Sequence, residues 1–234
     1  MKKGDIMSVK KYSLKKDGSK FLSPHFQVRE FRSKDGSDKV YIESGLIDCL
    51  ERVFSHFDCS KINIVSGYRT ASHDKAVGGR GAGNHVKGKA ADFVAYGKDG
   101  TKISSKEVSL YLEDIGIRGI GYRSGGSETS THVDVNYRNK NWFGDEKKSM
   151  TASIGSSFYR YLGVKYKENM AIATVNIRKE PSLSGTVVGL LKIGEKISVS
   201  SCDKIKRDGY VWSKVKLGKA HYWIADRYLK EASA

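Results

Sequence analysis

The sequence predicts an α+β domain, built as an antiparallel sheet with helices, followed by a small all-β barrel. Three observations carry this. Over the first 145 residues, helical patterns alternate with short β-branched runs that end in glycine. From Asp145 to Ser157 the chain (DEKKSMTASIGSS) is polar and small, as a linker should be. Beyond Met170, short alternating segments recur with turn residues every eight to twelve positions. The predicted division is an α+β domain over 1–148, a linker over 149–167 and a barrel over 168–234.

Each element has a local reason. Ile42, Leu46, Ile47, Leu50, Val53, Phe54 and Phe57 fall on one face of a helix, so 42–57 is expected to be amphipathic and helical. KINIVSG, 61–67, is β-branched and ends in glycine, so a strand delivers the chain to Ser66-Gly67-Tyr68-Arg69. A glycine-rich loop, VGGRGAGN, then leads to AADFVAY, 90–96, a buried strand. Ser104 and Glu107 form a capping box that opens a helix through Tyr111, Leu112 and Ile115, and Gly116 ends it. GIGY, 119–122, and THVDVNY, 131–137, are two further strands. In the barrel the expected strands lie in ATVNIRK, GTVVGLL, KISVSS, YVWSKVKL and HYWIADRYL.

Composition limits the function classes. With 38% hydrophobic and 10% aromatic residues the chain can bury a core, which argues against wholesale disorder. No apolar run is long enough to cross a bilayer, and the lysine-rich start lacks the apolar stretch of an export signal. The expected location is therefore the cytoplasm until something releases the protein. Cys49, Cys59 and Cys202 are odd in number and form no CxxC pair, so free, core-packed thiols are expected. The net charge of +16 favours polyanions such as nucleic acid, anionic lipid or acidic wall polymers; its plain alternative is a solvated lysine surface. No helix-turn-helix, zinc-finger spacing or RNA-recognition motif accompanies the charge, which argues against nucleic acid.

The chemistry concentrates in GNHVKGKAADF, 83–93. His85 and Asp92 stand seven positions apart with small residues between, and Gly88, Ala90 and Ala91 leave room for both side chains to turn inward. A zinc hydrolase site usually takes three ligands from His, Asp or Glu and leaves a position open for water. His132 is the natural third ligand, because in a strand His132 and Asp134 share one face while Val133 and Val135 share the other. A lone strand histidine is more often structural than a ligand; the combination H-x-x-G-x-A-x-D followed by H-V-D is far more specific.

SGYRT at 66–70, the HDKAVGG after it, HVKGKAAD at 85–92, GIGY and HVDV resemble the zinc peptidases that cut peptidoglycan stem peptides. That family includes D-alanyl-D-alanine carboxypeptidases and phage L-alanyl-D-glutamate endopeptidases. The resemblance covers roughly Leu22 to Trp142, with LSPHFQVREF and SKDGSD matching the family's N-terminal segment. It implies one Zn2+ per chain held by His85, Asp92 and His132. It further implies that Arg69 pairs with a substrate carboxylate or carbonyl in a fork and stabilises the oxyanion, while Ser66 and His73 line the substrate cleft. Several members carry a Glu or Asp three residues before the last histidine, and here that place holds Thr129, which cannot serve as a base. Asp134 is the leading candidate, as base or as a group orienting the zinc ligands, and Glu128 is the reserve.

The C-terminal segment resembles the bacterial SH3-like domains that anchor enzymes to cell walls, through Val175-Asn176-Ile177-Arg178, Pro181, Gly189, Gly194, Trp212, Trp223 and Tyr228-Leu229. Exposed aromatics among basic side chains suit a polymer of sugars, peptides and phosphates, but Trp212 and Trp223 also suit a barrel core, and for Trp212 the core is the favoured reading. Together the two resemblances imply a phage-type endolysin that hydrolyses stem-peptide bonds and lyses the cell wall. Its partners are peptidoglycan and the associated anionic polymers, and a pore-forming partner releases it, with no membrane insertion. The alternatives are a D-Ala-D-Ala carboxypeptidase acting on wall or precursors, and a non-catalytic wall-binding protein.

Overall fold

The computed structural model describes residues 8–122, 130–136, 142–145, 150–151 and 164–232. The chain divides into two compact units, Met1–Phe158 and Tyr159–Ala234. The first unit is α+β and the second all-β.

The first unit opens with β1 (Val9–Ser13), a single turn α1 (Leu14–Asp17), and β2 (Lys39–Glu43), which pairs antiparallel with β1 as a separate two-stranded sheet. Helix α2 (Ser44–His56) follows directly. It begins two residues later than the apolar spacing predicts, because Ile42 pairs with Lys10 in the β1–β2 ladder and is buried there. Leu46, Ile47, Leu50 and Val53 bury the expected face. The remaining elements are β3 (Cys59–Ser66), α3 (Ala71–Ala76), β4 (Ala90–Gly97), α4 (Ser105–Asp114), β5 (Gly119–Tyr122), β6 (Thr131–Asp134), β7 (Trp142–Asp145) and β8 (Met150–Thr151). The capping box at Ser104 is present in full: its hydroxyl accepts from Glu107 N, and the Glu107 carboxylate accepts from Ser104 N.

The six-stranded sheet runs β3-β4-β6-β5-β7-β8. Its pairs are antiparallel except β5–β7, which is parallel and departs from the all-antiparallel expectation. Helices α2 and α4 pack against the sheet and each other. Strict alternation along β4 sends Ala91, Phe93 and Ala95 into the core and leaves Asp92 on the opposite face. In β6, Thr131 and Val133 are buried while His132 stands on the Asp92 side. The segment after Arg69 is α3, capped where the Thr70 hydroxyl accepts from His73 N at 3.1 Å.

The second unit contains β9 (Tyr166–Ala171), β10 (Val175–Arg178), β11 (Val187–Leu191), β12 (Lys196–Arg207), β13 (Tyr210–Leu217), β14 (Ala220–Ala225) and β15 (Leu229–Glu231). They form one antiparallel sheet in the order β11-β10-β14-β13-β12-β9-β15. The five strands expected from the alternating segments are present, with β9 and β15 in addition. Met150–Thr151 and Tyr166–Lys167, placed in the linker by composition, lie in strands β8 and β9. Val175, Ile177, Leu191, Ile197, Val199, Val215 and Ile224 make the core of this unit. Trp212 and Trp223 are buried too, at 2% and 5% exposure, so they are core groups and not an exposed platform. Trp212 donates its indole N–H to the Arg207 carbonyl at 3.0 Å, and the Lys214 ammonium lies 5.2 Å from the Trp223 ring centre. Cys49 and Cys59 are buried free thiols; the Cys202 side chain lies outside the described residues.

Candidate metal centre

Strand register builds the site. Asp92 sits in β4 directly opposite Ser66 of β3 on one side and His132 of β6 on the other. Residues directly opposite in an antiparallel pair put their side chains on the same face, about 5 Å apart. His85 arrives from the loop before β4. Its ring Nδ1 lies 2.7 Å from the Gly67 carbonyl, which can only accept, so Nδ1 carries a proton, and Nε2 faces Asp92 Oδ2 at 3.5 Å. On the other side His132 Nδ1 is 2.8 Å from Asp92 Oδ1. One ligand atom from each of His85, Asp92 and His132 lies within 4.8 Å of the others. Two imidazoles and a carboxylate converging in this way, with one imidazole held from behind by a backbone carbonyl, form a donor set that fits zinc.

The electrostatics are those of tightly coupled opposite charges. Burial alone would raise the pKa of Asp92, but hydrogen bonds from His132 and His85 outweigh it and hold the carboxyl well below its ordinary range. Burial likewise works against a charged His132, and hydrogen bonds to Asp134 and Asp92 outweigh it, raising the imidazolium to about 10.

Arg69 occupies the third side. Its Nε donates to Ser66 Oγ at 2.8 Å, Nη2 to Asp92 Oδ2 at 2.9 Å and Nη1 to Asp74 Oδ1 at 3.3 Å. The fork expected to meet substrate therefore touches the carboxylate of the candidate donor set here, and the Ser66 hydroxyl serves the guanidinium. Asp134 is 3% exposed; its Oδ1 accepts from Asn136 N at 3.1 Å, and its Oδ2 lies 3.9 Å from His132 Nε2, the ring nitrogen away from Asp92. Gly119 makes room for it, since a Cβ there would come within 2.2 Å of Asp134 Oδ2. His73 is half-buried on α3 and is not part of the three-ligand group. The Asp35 carboxyl is held below its ordinary value chiefly by the Thr70 hydroxyl, with the charge of His73 adding to it. Glu128 and Thr129 lie outside the described residues.

Gly88 plays a different part from the one its spacing suggests. It adopts φ +69°, and a Cβ there would stand 2.4 Å from the Tyr41 carbonyl oxygen, while its own carbonyl accepts from Glu43 N at 2.8 Å. Its small size seats the metal loop on β2 rather than clearing space at the metal. Sequence reasoning missed Asp74 and the Gly67 carbonyl. Asp74 lies inside the HDKAVGG segment, so a signal was present, but nothing local says which way its side chain turns.

Residues 20–134 match the family model described as Peptidase M15, and residues 173–230 match the model described as Bacterial SH3 domain. The first domain belongs to the Peptidase M15 family, and the second is a bacterial SH3 domain. Comparison with curated proteins and with solved structures returned no match. M15 peptidases are zinc-dependent, which agrees with the donor set described above. The pairing of the two domains supports a metallopeptidase that acts on peptidoglycan and carries a wall-binding domain. Among the described residues, no helix is long and apolar enough to cross a membrane.

Proposed function

We propose that the protein is a phage-type endolysin: a peptidase that hydrolyses a peptide bond in peptidoglycan stem peptides and is held on the wall by its SH3 domain. The observation that carries this reading is the His85, Asp92 and His132 trio on an M15 domain joined to a bacterial SH3 domain. His85, Asp92 and His132 would hold one zinc ion, which would supply Lewis acidity to a scissile carbonyl. Around it, Arg69 is suited to stabilise negative charge developing on that carbonyl, because its guanidinium is already fixed beside Asp92. Ser66 steadies Arg69, and His73 is proposed to line the substrate cleft.

A general base must reach the reacting water. Asp134 is buried and turned to the far ring nitrogen of His132, which suits it to orient that ligand and raise its basicity. That leaves Glu128 as the carboxylate proposed for proton transfer. The net charge of +16 matches a wall rich in anionic polymers, and a pore-forming partner would give the enzyme access to it.

The test is to incubate the purified protein with peptidoglycan, with and without a chelator, and to identify the new ends by mass spectrometry. A new N-terminal D-Glu identifies an L-Ala-D-Glu endopeptidase, and loss of a terminal D-Ala identifies the carboxypeptidase alternative. Either product must vanish with chelator and in His132→Ala. Wall binding without any chelator-sensitive cleavage would overturn the enzymatic reading.

A further inference from the structure

Asp74 is 4% exposed, and no role in the reading above uses it. Its carboxylate is held on two sides: Oδ1 accepts from Arg69 Nη1 at 3.3 Å, and Oδ2 accepts from Gly81 N at 2.9 Å. The chain around it is shaped to the carboxylate. Asp74 stands in the first turn of α3, where its own N–H donates to the Thr70 carbonyl at 2.9 Å. The chain then folds back so that Gly79 N donates to the Asp74 carbonyl at 2.7 Å. At Gly79 a Cβ would stand 2.2 Å from Asp74 Oδ2, so only glycine lets the backbone pass this close. Gly81, whose N–H completes the cradle, has φ +72°.

We propose that Asp74 is a positioning residue for Arg69: it holds one arm of the guanidinium so that the other arm meets Asp92 and the fork stays at the metal centre. This rests on the reading of Arg69 as the charge-stabilising group of the peptidase. The Arg69 donors are shared among three acceptors, Ser66 at Nε, Asp92 at Nη2 and Asp74 at Nη1, which fixes the plane of the guanidinium. Without Asp74 the cation has only Asp92 as an ionic partner within reach among these contacts, and it can rotate about Nε. A carboxylate is needed, because both groups facing Asp74 are donors. An asparagine has one acceptor oxygen, and its NH2 must then confront either Arg69 or the Gly81 N–H. The HDKAVGG segment and the glycines that follow it thereby acquire a physical purpose: a cradle that keeps a buried carboxylate aimed at Arg69.

The experiment uses the full chain, with Asp74→Asn, Arg69→Ala and the double variant, and circular dichroism to verify folding. Cleavage of peptidoglycan gives one readout. The Nε–H signals of 15N-arginine give the other, with the Arg69 peak assigned by its loss in Arg69→Lys. The expected result is that Asp74→Asn lowers kcat/KM by about 10–100-fold, the usual cost of losing an outer partner at a metal site. In the Arg69→Ala background the same change should cause no further loss, because the two residues act as one unit. The Arg69 Nε–H should also exchange with water as fast as exposed arginines do. If Asp74→Asn does not fold, Gly79→Ala, which keeps the carboxylate and crowds it off its position, must reproduce both effects. A folded variant with an unchanged Arg69 signal, or losses that add in the double variant, overturns the proposal. If the wild-type protein cleaves nothing, the peptidase reading fails on its own, and the arginine signal alone decides the role of Asp74.

Discussion

Replacing Gly88 with alanine tests how the metal loop is held. The new Cβ would stand 2.4 Å from the Tyr41 oxygen, 2.5 Å from its carbonyl carbon and 3.0 Å from Ile42 N. All three are backbone atoms, so no side-chain rotation relieves the clash. The left-handed conformation at φ +69° adds about 1–2 kcal/mol for a residue with a Cβ. Overpacking against a fixed backbone costs about 1–3 kcal/mol, and weakening the 2.8 Å bond from Glu43 N to the Gly88 carbonyl about 1 kcal/mol more. Gly78→Ala provides the control, because φ is +90° there and no atom lies within 4 Å of the added Cβ, so it carries the conformational cost alone. The difference between the two variants isolates the close approach at about 2–4 kcal/mol, or about 5–15 °C in the first unit's thermal midpoint. Scanning calorimetry of both variants measures it, and a chelator-competition titration should show weaker zinc binding in Gly88→Ala only. Equal midpoints for the two variants would refute the argument that this loop is seated on β2.

Zinc binding should release about one proton at pH 7.5, since His132 is held as imidazolium with its pKa raised to about 10 and must become neutral to bind; calorimetry in buffers of different ionisation enthalpy measures this, and zero release would contradict it. For the metal-free protein the His132 contribution to stability is complete below its unfolded value near 6.5 and is lost as pH rises toward 10. The Asp92 contribution is complete above the ordinary carboxyl value of 3.8 and fades only in acid, so thermal midpoints after chelation should fall on the alkaline side. Asp134→Asn should weaken zinc binding by about 10–100-fold by loosening the far side of the His132 ring, as read by metal competition. Burial pushes the Cys49 and Cys59 thiols up to about 12, so peptide mapping after alkylation at pH 8 should find both unmodified until the protein is denatured.

Much of this molecule was determined by local sequence. The capping box at Ser104 opens α4, a β-branched run places β3, and turn spacing marks out the barrel, because caps, turns and periodicity act between residues close in the chain. The members of the candidate donor set were legible in the same way: the interval from His85 to Asp92 and the H-V-D strand are short motifs. Tertiary structure decided what depends on distant partners. Ile42 joins β2 rather than α2 because β1 supplies a ladder for it, and β5 pairs in parallel with β7. The register of β3, β4 and β6 places Ser66, Asp92 and His132 in one row, and a shift of one residue would turn Asp92 to the core. Gly88 looked like space for a metal and proved to be space for Tyr41, and Asp74 turns inward only because the chain returns at Gly79 and Gly81 to close around it. Pairing, register and close approach between distant segments leave no periodic trace in a single sequence, so they became visible only once the chain was folded.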